Sequence, residues 1–312
     1  MCRLLACIYI YRNNRFSGQF FFHAVLPYSL FYINGYFSFI GKNLTLKDSL
    51  FRITKRIKAL LIPTIVMCTA YSYYSGKTIE HVLFNDMKGG YWFTFVAFEI
   101  YVFYVLVEYI LSSVRNNSRI TPYISIMVLF SLLGFIGHIW DECAIYKLFS
   151  TYQIIKYLPF FYFGLICRQY ISVFNNLLKQ DLLILLCMVL MASLYVLPSR
   201  ISICIQGYLG IYLIFAIFIR FEKLFKTPSQ ITDFTIIIGR HTMVIYFLHY
   251  FFLKGVAVLS TPFQLIMNQG GWFVNLLCSS ITVILIILAC LLVEKVLTTS
   301  SSLHRICFGT NN

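Results

Sequence analysis

Long apolar runs recur from one end of this chain to the other, and they constrain its fold more than any other feature. An α-helix needs about 20 apolar residues to cross a bilayer, and the 312-residue chain is 60% hydrophobic and 12% charged. So few charged residues cannot cover the surface of a soluble domain of this size. The sequence therefore predicts an all-α protein, a polytopic transmembrane helix bundle in contact with the lipid bilayer.

Polar breaks divide the apolar runs into about nine candidate spans. They lie at roughly 19–41, 59–75, 91–113, 121–139, 156–173, 181–197, 201–220, 236–258 and 272–294. Because the connections are short, we expect one membrane domain at 19–296. An N-terminal tail at 1–18 precedes it, and a C-terminal cytoplasmic tail at 297–312 follows it.

Lysine and arginine near short loops favour the cytoplasmic side of a membrane. The connection at 42–58 is rich in both, so we place it inside, as in a multi-pass protein of the cell (inner) membrane. The C-terminus is then cytoplasmic as well. The same orientation leaves Arg3, Arg12 and Arg15 on the outer side, which is unusual for cations so close to a span.

The cysteines and the net charge exclude several classes of protein. Ten cysteines are scattered without a C-x-x-C pair, so we expect core residues and neither a metal cluster nor a disulfide framework. The net charge of +14 is typical of cytoplasmic loops in a membrane protein. No nucleic-acid module is visible, and no metal or nucleic-acid partner is predicted.

The densest cationic stretch is "FRITKRIKALLIPT", residues 51–64. On a helix, Arg52, Lys55 and Arg56 are spaced i, i+3 and i+4, so they form one face at the mouth of a span. One interpretation is an orientation signal. The other is a phosphate clamp, since guanidinium groups bind phosphate oxygens bidentately. Spacing alone does not separate the two.

Ionisable residues also lie inside or at the ends of the spans. Glu99 falls near the middle of one span, and His249 lies well inside another, one turn after Tyr246. Such residues usually face the interior of a bundle, although each could also be a structural hydrogen-bonding partner. His138, Asp141 and Glu142 are spaced to bind a metal or sugar hydroxyls, and a solvated loop is the plainer explanation.

Five segments in order resemble the integral-membrane acyltransferase 3 family, whose members acylate surface sugars. "LPYSLFYINGYF" (26–37) is similar to that family's "PLFFFISGYF", with Asn34 in place of the usual serine, and 52–63 resembles the basic run before "RLLIPY". "GGYWFTFVAFEIYVFY" (89–104) resembles the "WFL" span. "YLPFFYFGLICR" (157–168) resembles the "lpFFllG" span, and "GRHTMVIYFLHYFF" (239–252) the "IYLLHYF" span.

The resemblance implies O-acyl transfer, most simply acetyl transfer, from cytoplasmic acyl-CoA to a carbohydrate hydroxyl of a surface or capsular polysaccharide. Arg52, Lys55 and Arg56 would bind the phosphates of the acyl-CoA (acetyl-CoA) donor. His249 and Glu99 are the candidate catalytic residues, and Tyr246, Trp92 and His138 the candidate substrate-binding residues. The partners implied are therefore the bilayer, the acyl-CoA and a carbohydrate acceptor.

The chain departs from the family at its start. Members usually begin with a further helix that carries an arginine and a histidine separated by ten residues, and here the segment at 26–37 already resembles the second span. Arg12 and His23 have that spacing, but His23 lies too close to the 26–37 segment for a separate helix. We therefore expect a truncated or degenerate chain with little or no transfer, a loss that His249 would soften as the base.

Two other functions remain open. A polysaccharide polymerase or export protein would also be multispanning, aromatic and basic, but such proteins usually carry arginines on large external loops. A membrane remnant without catalytic activity is the third possibility. An upstream helix with the R-x10-H pattern would favour the acyltransferase.

Overall fold

The structure, a computed structural model, describes residues 25–41, 44–85, 87–114, 134, 144–195, 200–223, 227, 229–258 and 272–309. These residues form helices and the turns between them, and they contain no β-strand, which confirms the predicted all-α class. The predicted helix at 121–139 and the arginines of the N-terminal tail lie outside the described residues, apart from Gly134.

The helices are, in chain order, α1 (Leu26–Ser38), α2 (Leu46–Arg56), α3 (Ile62–Ser75), α4 (Ile79–Leu83), α5 (Trp92–Val114), α6 (Ala144–Leu148), α7 (Thr151–Gln169), α8 (Ile171–Leu178), α9 (Asp181–Tyr195), α10 (Arg200–Arg220), α11 (Gln230–Arg240), α12 (Thr242–Val258), α13 (Trp272–Leu297) and α14 (Ser301–Phe308). A π-helical turn, Ile57–Leu61, joins α2 to α3, and a 3₁₀ turn, Lys88–Gly90, precedes α5.

The prediction of about nine spans is not confirmed. By length and composition, three described helices can cross a membrane, namely Trp92–Ile110, Ser202–Arg220 and Leu277–Leu297. Two bent helix pairs raise that number to five if each pair is one span. In both pairs the halves meet at 77°. The first bend lies between the predicted spans at 156–173 and 181–197, so the helix predicted at 181–197 is unbroken. The second bend interrupts the helix predicted at 236–258. The described part of the chain is thus a helical membrane protein with three to five candidate spans.

The chain divides into two compact units. Among the described residues, the first unit contains 54–95 and 234–309, and the second contains 25–53 and 96–233. In the first unit, α3, α12, α13 and α14 surround a core of buried side chains. That core includes Met67, Tyr91, Phe247, Cys290 and Phe308.

In the second unit, α1 and α7 pack closely through two glycines. A Cβ atom at Gly35 would overlap the carbonyl oxygen of Phe161, and a Cβ at Gly164 would overlap that of Tyr32. Small residues permit such close approach of helices in a membrane, where packing replaces the hydrophobic drive. The glycines belong to the segments 26–37 and 157–168, so this contact gives a structural reason for both of those motifs.

Aromatic rings fill the space on either side of that contact. Tyr28 stacks on Phe160 with ring centroids 4.1 Å apart, and Phe31 stacks on Tyr157 at 4.6 Å. Such pairs add to the free energy gained by burying their surface. The contact between α1 and α7 is therefore dominated by close packing of backbone and rings.

Candidate functional site

His249 lies in the core of the first unit, on α12. The residue is 2% exposed, and its Nδ1 lies 2.6 Å from the carbonyl oxygen of Tyr246 and 3.1 Å from that of Ile245. Carbonyl oxygens only accept hydrogen bonds, so this contact assigns the proton to Nδ1. The lone pair of the neutral ring is then on Nε2, which is the arrangement that a general base requires.

The 3₁₀ turn before α5 lies against α12. Tyr246 Oη donates a hydrogen bond of 3.0 Å to the carbonyl oxygen of Gly90, and Tyr91 Oη donates one of 2.9 Å to that of Phe247. Gly90 has φ +115°, and a Cβ at this position would overlap the ring of Tyr250. That ring in turn lies 4.0 Å from the ring of His249, centroid to centroid. The turn and the histidine are thus parts of one packed site.

Trp92 begins α5 at the end of this turn. Its ring contacts Phe93 edge to face at 6.2 Å, and Phe93 contacts Tyr246 in the same way at 5.8 Å. The rings of Tyr246 and His249 are 5.8 Å apart. A continuous series of aromatic contacts therefore brings together three of the residues that the sequence analysis selected: Trp92, Tyr246 and His249.

Two polar features of this region were missed by the sequence analysis. Lys88 is 2% exposed, its Nζ donates to the carbonyl oxygen of Leu83, and the amine lies 5.4 Å from the ring centre of Phe95. The hydroxyl oxygens of Thr64 and Thr94 lie 2.7 Å apart and join α3 to the start of α5. Lys88 was missed because a lysine beside two glycines is typical of an exposed turn.

The cationic stretch lies along α2 and the π-helical turn. Arg52 and Arg56 are half-buried, whereas Lys55 and Lys58 are exposed. In the π-helical turn the N–H of Ile62 bonds to the carbonyl of Ile57, five residues back. Pro63 follows at once and has no N–H to offer, so an ordinary α-helical ladder is interrupted there.

The remaining candidates are placed elsewhere. Glu99 lies on α5 among residues of the second unit, where its side chain is half-buried beside the buried Ile100 and Tyr101. His138, Asp141 and Glu142 lie outside the described residues, as does His23. In the part of the chain that the structure describes, no group of three or more histidine, cysteine, aspartate or glutamate side chains is arranged to hold a metal ion.

One further group was missed, and it involves three residues of the first unit. His241 lies between α11 and α12, Glu294 near the end of α13, and His304 on α14. The carboxylate of Glu294 contacts both imidazoles. Glu294 was the available signal, since it is an acid at the end of a long apolar run, but nothing in the sequence pairs it with histidines 53 and 10 residues away.

Comparison with known families identifies the family of this chain. A profile described as an acyltransferase domain, that of the acyltransferase 3 family, matches residues 8–292. No curated protein and no solved structure gives a significant match. The profile covers all five resembling segments, including both sides of the contact between the 3₁₀ turn and α12. The chain belongs to the acyltransferase 3 family of membrane O-acyltransferases.

Proposed function

We propose that this protein transfers an acyl group, most simply acetyl, from acyl-CoA to a sugar hydroxyl of a surface or capsular polysaccharide. It does so as a multi-pass protein of the inner membrane, with the 42–58 connection and the C-terminus in the cytoplasm. The observation that carries the proposal is the buried imidazole of His249, held among family motifs with its proton on Nδ1. Because this imidazole can serve as the base, the proposal replaces the expectation that the chain transfers little or nothing.

The proposed reaction needs one base and one site for developing negative charge. His249 Nε2 takes the proton of the sugar hydroxyl as that oxygen attacks the thioester carbonyl. The C–S bond then breaks, the ester C–O bond forms, and the CoA sulfur leaves with the proton. Tyr250 stacks on one side of the ring and α12 holds Nδ1, so the imidazole is already oriented for this step.

The donor is bound by the cations of α2. Arg52 and Arg56 are one helical turn apart, and both are half-buried. Their planar guanidinium groups can each bind two phosphate oxygens. Lys55 is exposed beside them and adds a point charge. This assignment makes the stretch a ligand site and leaves orientation of the chain in the membrane as its second role.

The acceptor sugar is bound by aromatic and polar residues. Trp92 and Tyr246 belong to the aromatic series that ends at His249. His138, which lies outside the described residues, is proposed to add a polar group. Glu99 is the second proposed catalytic residue, because an ionisable side chain within a candidate span is costly and usually has a function.

Binding of acetyl-CoA tests the donor site without requiring turnover. We expect the double variant Arg52→Ala/Arg56→Ala to weaken binding by about tenfold or more, since hydrogen bonds to charged groups are the strong ones. Lysine at both positions restores only part of the affinity. The measurement is titration of purified protein in nanodiscs with labelled acetyl-CoA.

The matched control removes the same charge from exposed positions. Lys47→Ala/Lys58→Ala also deletes two cations near α2, and both lysines are exposed. We expect this control to bind acetyl-CoA nearly as the wild type does, because only screened surface charge is lost. Equal binding by both double variants and the wild type would leave the arginines with the orientation role alone.

A further inference from the structure

Glu294 is a buried carboxylate that contacts a histidine on each of two neighbouring segments. Its Oε2 lies 2.6 Å from Nδ1 of His241, and its Oε1 lies 3.5 Å from Nε2 of His304. The first distance is within hydrogen-bonding range of the carboxylate, and the second is that of an ion pair when the imidazole is protonated. One side chain near the end of α13 thus contacts both the start of α12 and α14.

His241 is the single residue at the bend between α11 and α12. The two helices meet there at 77°, and α12 carries both Tyr246 and His249. The backbone N–H of His241 bonds to Ile237, and its carbonyl oxygen accepts from Ile245. The bend contains no proline. The contact between the ring of His241 and the carboxylate of Glu294 is a side-chain restraint on the direction of α12.

The helix α14 is an integral part of the first unit. His304 is 3% exposed and Phe308 is 1% exposed, in the same core as Tyr91 and Phe247. A Cβ at Gly309 would overlap the backbone of Ala59, in the π-helical turn after the cationic stretch. The family match ends at residue 292. Glu294 and α14 therefore add to the unit a set of contacts that lies beyond the matched region.

We propose that Glu294 is a positioning residue: through His241 it fixes the bend that orients α12 and His249, and through His304 it couples α14 to that orientation. The part that concerns catalysis rests on the proposed function, in which His249 is the base. The coupling of α12 to α14 does not depend on the proposed function.

Burying the carboxylate of Glu294 costs free energy. A carboxylate within an apolar span is expensive to bury and persists only where partners satisfy it. Here each oxygen has an imidazole partner, so loss of Glu294 removes both restraints at once. Loss of one histidine removes one restraint and leaves the other.

Site-resolved chemical labelling of the full protein in proteoliposomes tests the coupling. Cys307 on α14 reports release of that helix to N-ethylmaleimide, because burial raises the pKa of this thiol and undocking reverses the shift. Carbethoxylation of His249 reports movement of α12. Mass spectrometry quantifies both modifications, and the buried Cys167 of the second unit reports general unfolding.

For Glu294→Ala we expect both Cys307 and His249 to react about tenfold faster or more, with Cys167 unchanged. Glu294→Gln, which keeps an acceptor oxygen for His241, recovers protection of His249 in part. His304→Ala exposes Cys307 alone, and His241→Ala exposes His249 alone. The matched control Val296→Ala, at an exposed position of α13, leaves all three sites as in the wild type.

Unchanged reactivity of Cys307 and His249 in Glu294→Ala would overturn the proposal. If Glu294→Ala unfolds, Cys167 also reacts, and the two single-histidine variants then test the proposal. The proposal fails if His304→Ala leaves Cys307 protected and His241→Ala leaves His249 protected. Acyl transfer adds an independent readout: the proposal expects a lower kcat in Glu294→Ala with an unchanged KM for acetyl-CoA. A wild-type chain that transfers nothing contradicts the proposed function, and the labelling results still test Glu294.

Discussion

The contact between α1 and α7 and the contact between the 3₁₀ turn and α12 both join segments that resemble family motifs, yet they are built differently. The first closes on Gly35 and Gly164 and is filled by stacked rings. The second also has a glycine at its closest point, but tyrosine hydroxyls bonded to backbone carbonyls cross it. The Tyr250 ring that meets this glycine also packs on the imidazole of His249, within α12. Segments that resemble motifs of the same family can therefore form contacts of different character, one by packing alone and one with hydrogen bonds.

The largest expected effect is that of His249→Ala on acyl transfer. Loss of a general base typically lowers the rate by about 10²–10⁴-fold, and we expect a fall in that range measured as kcat with labelled acetyl-CoA. His81→Ala, an exposed histidine of the same unit, is the control and leaves kcat unchanged. Loss of transfer in His241→Ala with retention in His249→Ala would identify His241, at the bend, as the base.

The next effect concerns stability at the contact between α1 and α7. Gly164→Ala forces a methyl group onto the backbone of Tyr32, so the helices must separate and the stacked rings with them. We expect a loss of about 1–3 kcal/mol in the free energy of unfolding, as for overpacking in a tight interior. Thermal unfolding in detergent measures it.

Gly239→Ala is the matched control for that substitution. Gly239 also lies in a helix, but a Cβ there has no neighbour within 4 Å. Alanine is the better helix former, so this variant is expected to be neutral or more stable by up to about 1 kcal/mol. Equal losses in the two variants would show that the glycines of α1 and α7 matter only for helix propensity.

The smallest effect is expected from a single hydroxyl of the contact at α12. Tyr91→Phe keeps the buried ring and removes the bond to the carbonyl of Phe247, at a cost of about 0.5–1.5 kcal/mol. Tyr73→Phe, at a tyrosine that is 91% exposed, serves as control and leaves the unfolding temperature unchanged. A Tyr91→Phe variant as stable as this control would show that this hydrogen bond adds no stability to the second contact.

The sequence was most informative where apolar length decides the structure. Trp92–Val114 and Arg200–Arg220 agree closely with the predicted helices at 91–113 and 201–220, because long uninterrupted apolar runs have few alternatives. His249 and Tyr246 were selected from their positions inside a predicted span, and Trp92 from the resemblance. The structure links all three through aromatic contacts. Their catalytic and binding roles remain predictions.

The bend at His241 and the group around Glu294 could not be predicted from the sequence, for a physical reason. The run "TIIIGRHTMVIYF" continues with an apolar helical pattern through the bend, so local propensity predicts one helix at 236–258. The bend lies two residues after Gly239, and α12 contacts α13 and α14, which lie far along the chain. Contacts between such distant residues can override local helix propensity, and a sequence pattern does not show them. The difference between exposed Lys55 and half-buried Arg56 has the same origin, since spacing places both on one face.

The central claim, acyl transfer to a carbohydrate, is tested most directly by following the label. Protein in proteoliposomes is supplied with acetyl-CoA labelled in the acetyl group and with capsular polysaccharide, and the polysaccharide is then isolated. The account predicts label in the polysaccharide as a base-labile ester, formed faster by the wild type than by His249→Ala. Polysaccharide that stays unlabelled while lipid-linked chains lengthen or cross the membrane would contradict it, in favour of a polymerase or export protein.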